Sequence, residues 1–384
     1  DALWTTRGGG GQPFLGNITS SLLHPLTLLA AAFPAEQLHH LPLLQGFLTL
    51  VLSAWFTWLF LRRLDLNHAC AGFGAVAFAF GGHQVLWLQY ALAHTLVALP
   101  FTCWAVERLV ELRSRRRVAC LALGFALLIL GGHPETGFVA GLMAGLWALW
   151  RLWDAHGRPL VVGAAVLGLA LAAVQWMPFL EYAAASHGKV LREIEAARLE
   201  GSASFGVAVV YGVFFLVALA TLRAAATKGT WKALFAVAAC TVALVMARRM
   251  GLSVASLTLV APELYGHPRV PQPGDWLSMR GVYTGAQDFP GLAAGYVGVL
   301  PPVLLALGFF AGVGGGFVRF FSMVVLFLWG SAHDLPGIEG IVQLVPGLDE
   351  VGPTRLLGPV GFASACGGAY VLQRMTGPRL KADA

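Results

Sequence analysis

The nineteen residues Leu43–Leu61 carry no charged side chain, and Arg62-Arg63 follow at once. As a helix, a run of that length reaches across a hydrocarbon layer of roughly 30 Å. Leu160–Met177 is a second such run. The whole chain is built this way: 57% of its 384 residues are hydrophobic and 11% are charged, where soluble proteins are about one quarter charged. The expected fold is therefore all-α, a polytopic integral membrane bundle of 10–12 spans. Candidate spans are 41–61, 69–90 (interrupted), 94–112, 118–131, 136–153, 159–180, 206–222, 232–247, 296–312, 318–332 and 355–373. They form one membrane domain, 1–384. Within it, 1–40 is an exterior loop with an interfacial helix, 41–250 the main bundle, 251–295 a second exterior loop, and 296–384 the C-terminal spans. The start at Asp1, inside a Gly-rich loop, predicts a further membrane helix ahead of these residues.

Short loops rich in Lys and Arg stay in the cytoplasm. Placing Arg113, Arg115, Arg116 and Arg117 there and alternating outward also puts Arg62-Arg63, Arg151, Arg158, Arg223, Lys228, Lys232, Arg319 and the C-terminal Arg374, Arg379 and Lys381 inside. Fourteen of the 19 acids then fall outside. The net charge of +6 thus records membrane orientation and is no nucleic-acid footprint. The outer side receives the Gly-rich start, Gly131–Thr136, Glu181–Glu200, Gly251–Gly295 and Ser331–Thr354. The C-terminus lies in the cytoplasm.

Two apolar stretches break at the same tripeptide, Gly81-Gly82-His83 and Gly131-Gly132-His133. Backbone groups freed by a break cost several kcal/mol in lipid unless protein or water satisfies them, so broken helices usually line a polar cavity. Pro134 fits the first position of the next helix, which puts Glu135 in its first turn, at the positive end of the dipole. His94 opens another span, and Glu181 closes one in Trp176-Met177-Pro178-Phe179-Leu180-Glu181-Tyr182. Singly, each residue reads as a helix cap or a solvated loop side chain. Together they point to an outward cavity lined by carboxylates, imidazoles and aromatics. Ser20–Pro34, apolar but short and flanked by Pro25 and Pro34, reads as an interfacial helix.

Other signals carry less. Cys70, Cys103, Cys120, Cys240 and Cys366 stand singly in apolar runs without metal-ligand spacing and read as small buried side chains. Gly8–Gly11 lacks the Lys-Ser/Thr of a phosphate loop.

The stretch "LWTTRGGGGQPFLGNITSSLLHPLTLL" resembles the first exterior loop of YfhO-like bacterial membrane proteins at Trp4, Gly10-Gly11, Pro13, Asn17 and Pro25. "AFGGHQVLWLQYALAHTLVALPFTCWAVERL" is similar to that family's second and third spans, with His83, His94 and Glu107. "LGGHPETGF" resembles its Gly-His-Pro-Gln stretch, with Glu135 where glutamine is common. "MPFLEYAAAS" resembles its Pro-x-x-Glu signature at Pro178, Glu181 and Ser186. "LVPGLDEVGPTRLLGPVGFASACGGAYVL" resembles a later span, with Arg355 at the usual arginine. The region 186–295 departs from the pattern.

The resemblance implies a glycosyltransferase of the GT-C type in a bacterial cytoplasmic membrane. It would move a sugar from a polyprenyl-phosphate carrier to an acceptor on the periplasmic or extracellular face. In this family an acid of the first exterior loop is typically the general base. That acid normally lies farther upstream, and Asp1 is the one acid ahead of the Gly-rich run. The candidate catalytic residues are Asp1, Glu135 and Glu181. Asn17, His83, His94, His133, Arg280 and Arg355 are the candidate substrate-binding residues, with Arg355, Arg280 or His133 set against the phosphate. A divalent metal is a candidate cofactor. Membrane lipids and the polyprenyl-phosphate sugar are the expected partners. Two other readings stay open: a non-catalytic integral subunit of a larger membrane complex, and a transporter.

Overall fold

The computed structural model describes residues 4–5, 11–184, 294–332, 338, 342, 344–348 and 351–377. Apart from a two-residue antiparallel pairing of Trp4–Thr5 with Gln12–Pro13, the described elements are helical. The chain divides into two compact units, Asp1–Lys189 and Val190–Ala384.

In the first unit the helices are α1 (Pro25–Leu28), α2 (Leu41–Arg63), α3 (His68–Ala79), α4 (Gly82–Leu86), α5 (Ala91–Glu111), α6 (Arg115–Leu130), α7 (Pro134–Arg151), α8 (Gly157–Leu171) and α9 (Ala173–Ala184). Helix α5 packs on α2, α6 and α7, while α6 packs on α8 and α2 on α3. In the second unit, α10 (Leu300–Phe310) and α11 (Gly315–Ala332) both pack on α12 (Leu357–Thr376).

Every expected span that falls on described residues is helical over most of its length, the span 296–312 only from Leu300 to Phe310. The expected spans 206–222 and 232–247, and nearly all of the loop 251–295, lie outside them. Among the described residues, four helical segments are long and apolar enough to cross a membrane: Ala35–Arg63, His68–Leu86, Gly315–Ala332 and Thr354–Thr376. The bent pair α8–α9 makes a fifth if it is one span. That is fewer than the sequence pattern allots to the same residues. Polarity within the helices accounts for part of the difference: α5 carries His94, Glu107, Arg108 and Glu111, and α6 opens on Arg115-Arg116-Arg117.

Helix α2 shows why these segments suit lipid. Leu43, Phe47, Val51 and Trp55 are exposed and recur every fourth residue, forming one apolar stripe. Gly46, Thr49, Ser53 and Thr57 are buried on the opposite side. Small and hydroxyl residues inside with large apolar residues outside reverse the soluble pattern and match helix seams in membranes. The hydroxyls of Thr49 and Thr57 satisfy carbonyls four residues back, Gln45 and Ser53, each at 2.7 Å. Helix α12 is different: 94% of its apolar window is buried, against 28% for that of Ala35–Arg63. It is an inner helix. Gly368 lets Pro301 of α10 approach so closely that a Cβ would lie 2.5 Å from the Pro301 carbonyl oxygen.

Two local expectations change. The segment 159–180, expected as one span, is two helices bent by 69° at Ala172. The Trp176 indole donates to the Leu169 carbonyl at 2.8 Å and so satisfies an acceptor beside the break. Ser20–Pro34 is no continuous interfacial helix. It is a chain of short turns, Ile18–Ser20, α1 and Leu29–Ala32, and Pro34 leads into a further 3-10 turn, Ala35–His40. Pro25 starts α1, and the chain is extended at His24 and Phe33, the residues before the two prolines.

Candidate functional site

The first unit has two chemically distinct ends. At one, the turns after α2, α5 and α7 bring arginines and carboxylates together. Arg63 pairs with Glu111, and Arg113 forks onto Asp154 at 3.0 and 2.5 Å. The Asp154 carboxyl is held below its usual range by Arg113 first and by the Gly157 amide next. Arg151 of α7 reaches down to the buried Glu107 of α5 with two bonds of 2.8 Å, and the Trp147 indole adds a third at 2.9 Å. These are the turns that the sequence pattern gathers on one side.

The other end has no Lys or Arg among its described residues. Here the Gly-Gly-His break between α6 and α7 meets the first loop and the start of α5. Gly131 caps α6, Gly132 takes a φ of +92°, and Pro134 is the first residue of α7. A Cβ on Gly131 would strike Thr95 of α5, and one on Gly132 would sit 2.7 Å from the Ile18 carbonyl oxygen. The Ser21 hydroxyl donates to the Gly131 carbonyl at 2.7 Å, and the His133 amide donates to Thr95 Oγ1 at 3.2 Å. His133 also caps α7: its Nδ1 accepts the Thr136 amide at 3.2 Å, which leaves the ring proton of the neutral form on Nε2. On the far side of the loop, the buried Gln175 of α9 donates to the Leu15 carbonyl at 3.1 Å. Gln45 of α2 holds the Leu26 carbonyl at 3.0 Å. Side chains from several elements thus pin the stretch Leu15–Leu26.

Inside this closure two imidazoles stack. His24, on the first loop, and His94, on α5, lie with parallel planes and ring centroids 5.8 Å apart. Their exposures are 5% and 6%. His24 Nδ1 and His94 Nε2 are both buried without a hydrogen-bond partner. Burial, and after it the neighbouring His94, lower the His24 pKa to about 3, so this imidazole stays neutral throughout the physiological range. Thr136 Oγ1 and Gln175 Oε1, at the same end, are buried and unpartnered as well.

The candidates from sequence distribute as follows. His94, His133 and Glu135 lie at this end, with Glu135 in the first turn of α7. Asn17 precedes the turn Ile18–Ser20, and its Oδ1 accepts the Thr19 hydroxyl at 2.5 Å. Glu181 is exposed on the last turn of α9, beside Tyr182, which packs on Gly16 of the first loop. His83 is buried in α4, next to Gln84, which donates to the Ser53 hydroxyl at 3.1 Å. Arg355 belongs to the second unit, in the turn Pro353–Leu356 ahead of α12. Asp1 and Arg280 lie outside the described residues. Sequence reasoning missed His24, Ser21 and Gln175. The one available signal for His24 was a histidine set directly before Pro25 in an apolar stretch. Among the described residues no group of three or more His, Cys, Asp or Glu is placed to hold a metal ion. Cys70, Cys103 and Cys120 are free thiols.

The geometry defines a class: a helical chain with several apolar helices fit to cross a membrane and a polar closure at one end of its first bundle. No family model matches the chain, and no characterised protein and no solved structure does either.

Proposed function

We propose that the chain is a polytopic glycosyltransferase of the bacterial cytoplasmic membrane, which moves a sugar from polyprenyl phosphate to an acceptor on the outer face. One observation supports this best: the first loop is pinned over the ends of the helices opposite the arginine-rich turns, and it encloses polar groups whose hydrogen-bonding capacity the fold leaves unused. Buried polar atoms cost free energy unless something pairs with them, and a substrate that enters between loop and bundle supplies the partner. The orientation follows from the basic turns, which stay in the cytoplasm.

In this reading the carboxylate of Glu135 or Glu181 takes the acceptor proton as the hydroxyl attacks the anomeric carbon. His133 is assigned to the leaving phosphate, where a hydrogen-bond donor stabilises the developing oxyanion. The exposed stripe Leu43–Phe47–Val51–Trp55 offers the prenyl chain an apolar surface.

The test uses the full-length protein in vesicles loaded with a radiolabelled polyprenyl-phosphate hexose and an envelope polymer as acceptor. Label is expected to pass from lipid to polymer, and Glu135→Gln or Glu181→Gln is expected to lower the rate at least about a hundredfold at whichever acid is the base. No transfer from protein that copurifies in fixed ratio with other membrane proteins favours the complex-subunit reading instead.

A further inference from the structure

We infer that the His24–His94 pair is a binding site for the hydroxyl groups of a neutral sugar, and that the phosphate of the donor is held elsewhere. The inference rests on the transferase reading of this end of the bundle and gives the histidines a specific part in it.

Each ring is more than nine-tenths buried, and each keeps one ring nitrogen without a partner. A neutral imidazole presents one N–H donor and one lone pair. The two rings belong to separate elements, the first loop and α5, and face each other with parallel planes. Either nitrogen of a neutral ring can be the N–H or the lone pair, so a partner that suits every tautomer must be able both to donate and to accept. A hydroxyl does both. The phosphodiester anion of the donor only accepts, and it would need countercharge in so dry a place. None is at hand: among the described residues of this end there is no Lys or Arg, and Glu181 adds a negative charge.

Protonated histidines would supply the missing charge, but burial opposes that state for His24, whose pKa falls to about 3. The same depression makes His24 a poor general base at neutral pH, since an effective base titrates near the working pH. Its chemistry is hydrogen bonding. Tyr90 adds a second feature of carbohydrate sites. It stands one turn ahead of His94 on the same face of α5, is 60% exposed, and carries Trp87 edge-on at 5.5 Å. An exposed aromatic ring beside buried hydrogen-bonding groups suits the apolar face and polar rim of a pyranose. Thr136 Oγ1 and Gln175 Oε1 offer further unpaired capacity nearby.

The experiment takes the full-length protein in lipid nanodiscs, labelled with 15N in the histidine rings. It is titrated with the methyl glycosides of glucose, galactose, mannose and N-acetylglucosamine, and separately with inorganic phosphate. At least one glycoside is expected to shift the ring nitrogens of two histidines saturably, with the signals assigned through His24→Gln and His94→Gln. Each of those variants is expected to weaken binding roughly tenfold, the loss of one hydrogen bond. Tyr90→Leu changes an exposed side chain, so it keeps the test open if a histidine variant does not fold, and it is expected to weaken glycoside binding too. Shifts with phosphate alone, or with none of the probes, overturn the inference. The transfer assay separates the two claims. Glycoside binding without transfer removes the transferase reading and leaves the sugar site standing. Transfer without glycoside binding removes the sugar site alone.

Discussion

The two ends of the first unit handle polarity in opposite ways. At the arginine end, neighbouring turns supply opposite charges that meet: Arg63 with Glu111, Arg113 with Asp154, Arg151 with Glu107. At the histidine end, hydroxyls, amides and imidazoles hold a loop in place, yet His24, His94, Thr136 and Gln175 each keep an atom unpaired. The first end pairs its opposite charges, although Arg108 Nε and Trp104 Nε1 stay buried without a hydrogen-bond partner. The second pairs neutral groups and leaves some over, and a site for chemistry requires unused capacity. In charge, the arginine end is thus closed and the histidine end open.

The sharpest way to break this contrast is to open the closed end. Glu107→Ala leaves Arg151 and Trp147 without their acceptor in a buried setting, and removing one partner of a buried pair costs about 3–5 kcal/mol. Thermal unfolding in detergent is expected to show a larger drop in Tm than any single substitution at the histidine end produces. An unchanged Tm would mean that the ion pair is not part of what holds α5 to α7.

At the histidine end, Gly132→Ala adds a Cβ where φ is +92° and where Ser21 and Ile18 already press. Backbone strain and overpacking together predict a loss of about 2–4 kcal/mol. The specific sign is undocking of the first loop, read as faster proteolysis within residues 12–40 while the helical circular dichroism is retained. Loss of helix with no selective cleavage would instead make the Gly-Gly turn a requirement of the whole bundle.

Acid gives a smaller and graded effect. Above the free imidazole value of about 6.5, His24 is neutral whether the loop is docked or released, and pH has no leverage. Below it, the released loop takes up a proton that the docked one refuses until about pH 3. Docking is therefore expected to weaken about tenfold per pH unit between those limits, until other groups titrate. The rate of loop proteolysis against pH measures this, and His24→Phe is expected to flatten it. A profile unaffected by His24→Phe refutes the assignment.

The smallest effect belongs to the exposed pair. Arg113→Ala removes a fork to Asp154, but both side chains are 40% or more exposed, and solvent leaves such pairs about 0–1 kcal/mol. The expected shift in Tm is barely measurable and fades in high salt. A loss comparable to that of Glu107→Ala would show that the arginine end acts as one network.

Much of the fold is legible in the residues. Leu43–Leu61 forms a helix because nothing in it interrupts one, and its end at Arg62-Arg63 follows from charge. Gly131–Pro134 reads as a turn because glycine accepts the positive φ and proline begins the next helix. The common end of Arg62, Arg113 and Arg151 follows from alternation along the chain. The bend at Ala172 is not legible, because the residues around it are as apolar as those of an unbroken span; what distinguishes the place is Gln175 reaching a carbonyl in the first loop.

Local rules act over a few residues, so sequence alone determined where most of the long apolar helices run and which turns carry charge. Only the tertiary structure decided which polar groups would meet. His24 and His94, like Glu107 and Arg151, belong to elements far apart along the chain, and whether a buried group finds a partner depends on the packing of helices across that separation. Hydrogen bonds and ion pairs act over a few ångströms. The chain specifies the groups; the fold supplies the distances that pair them or leave them free.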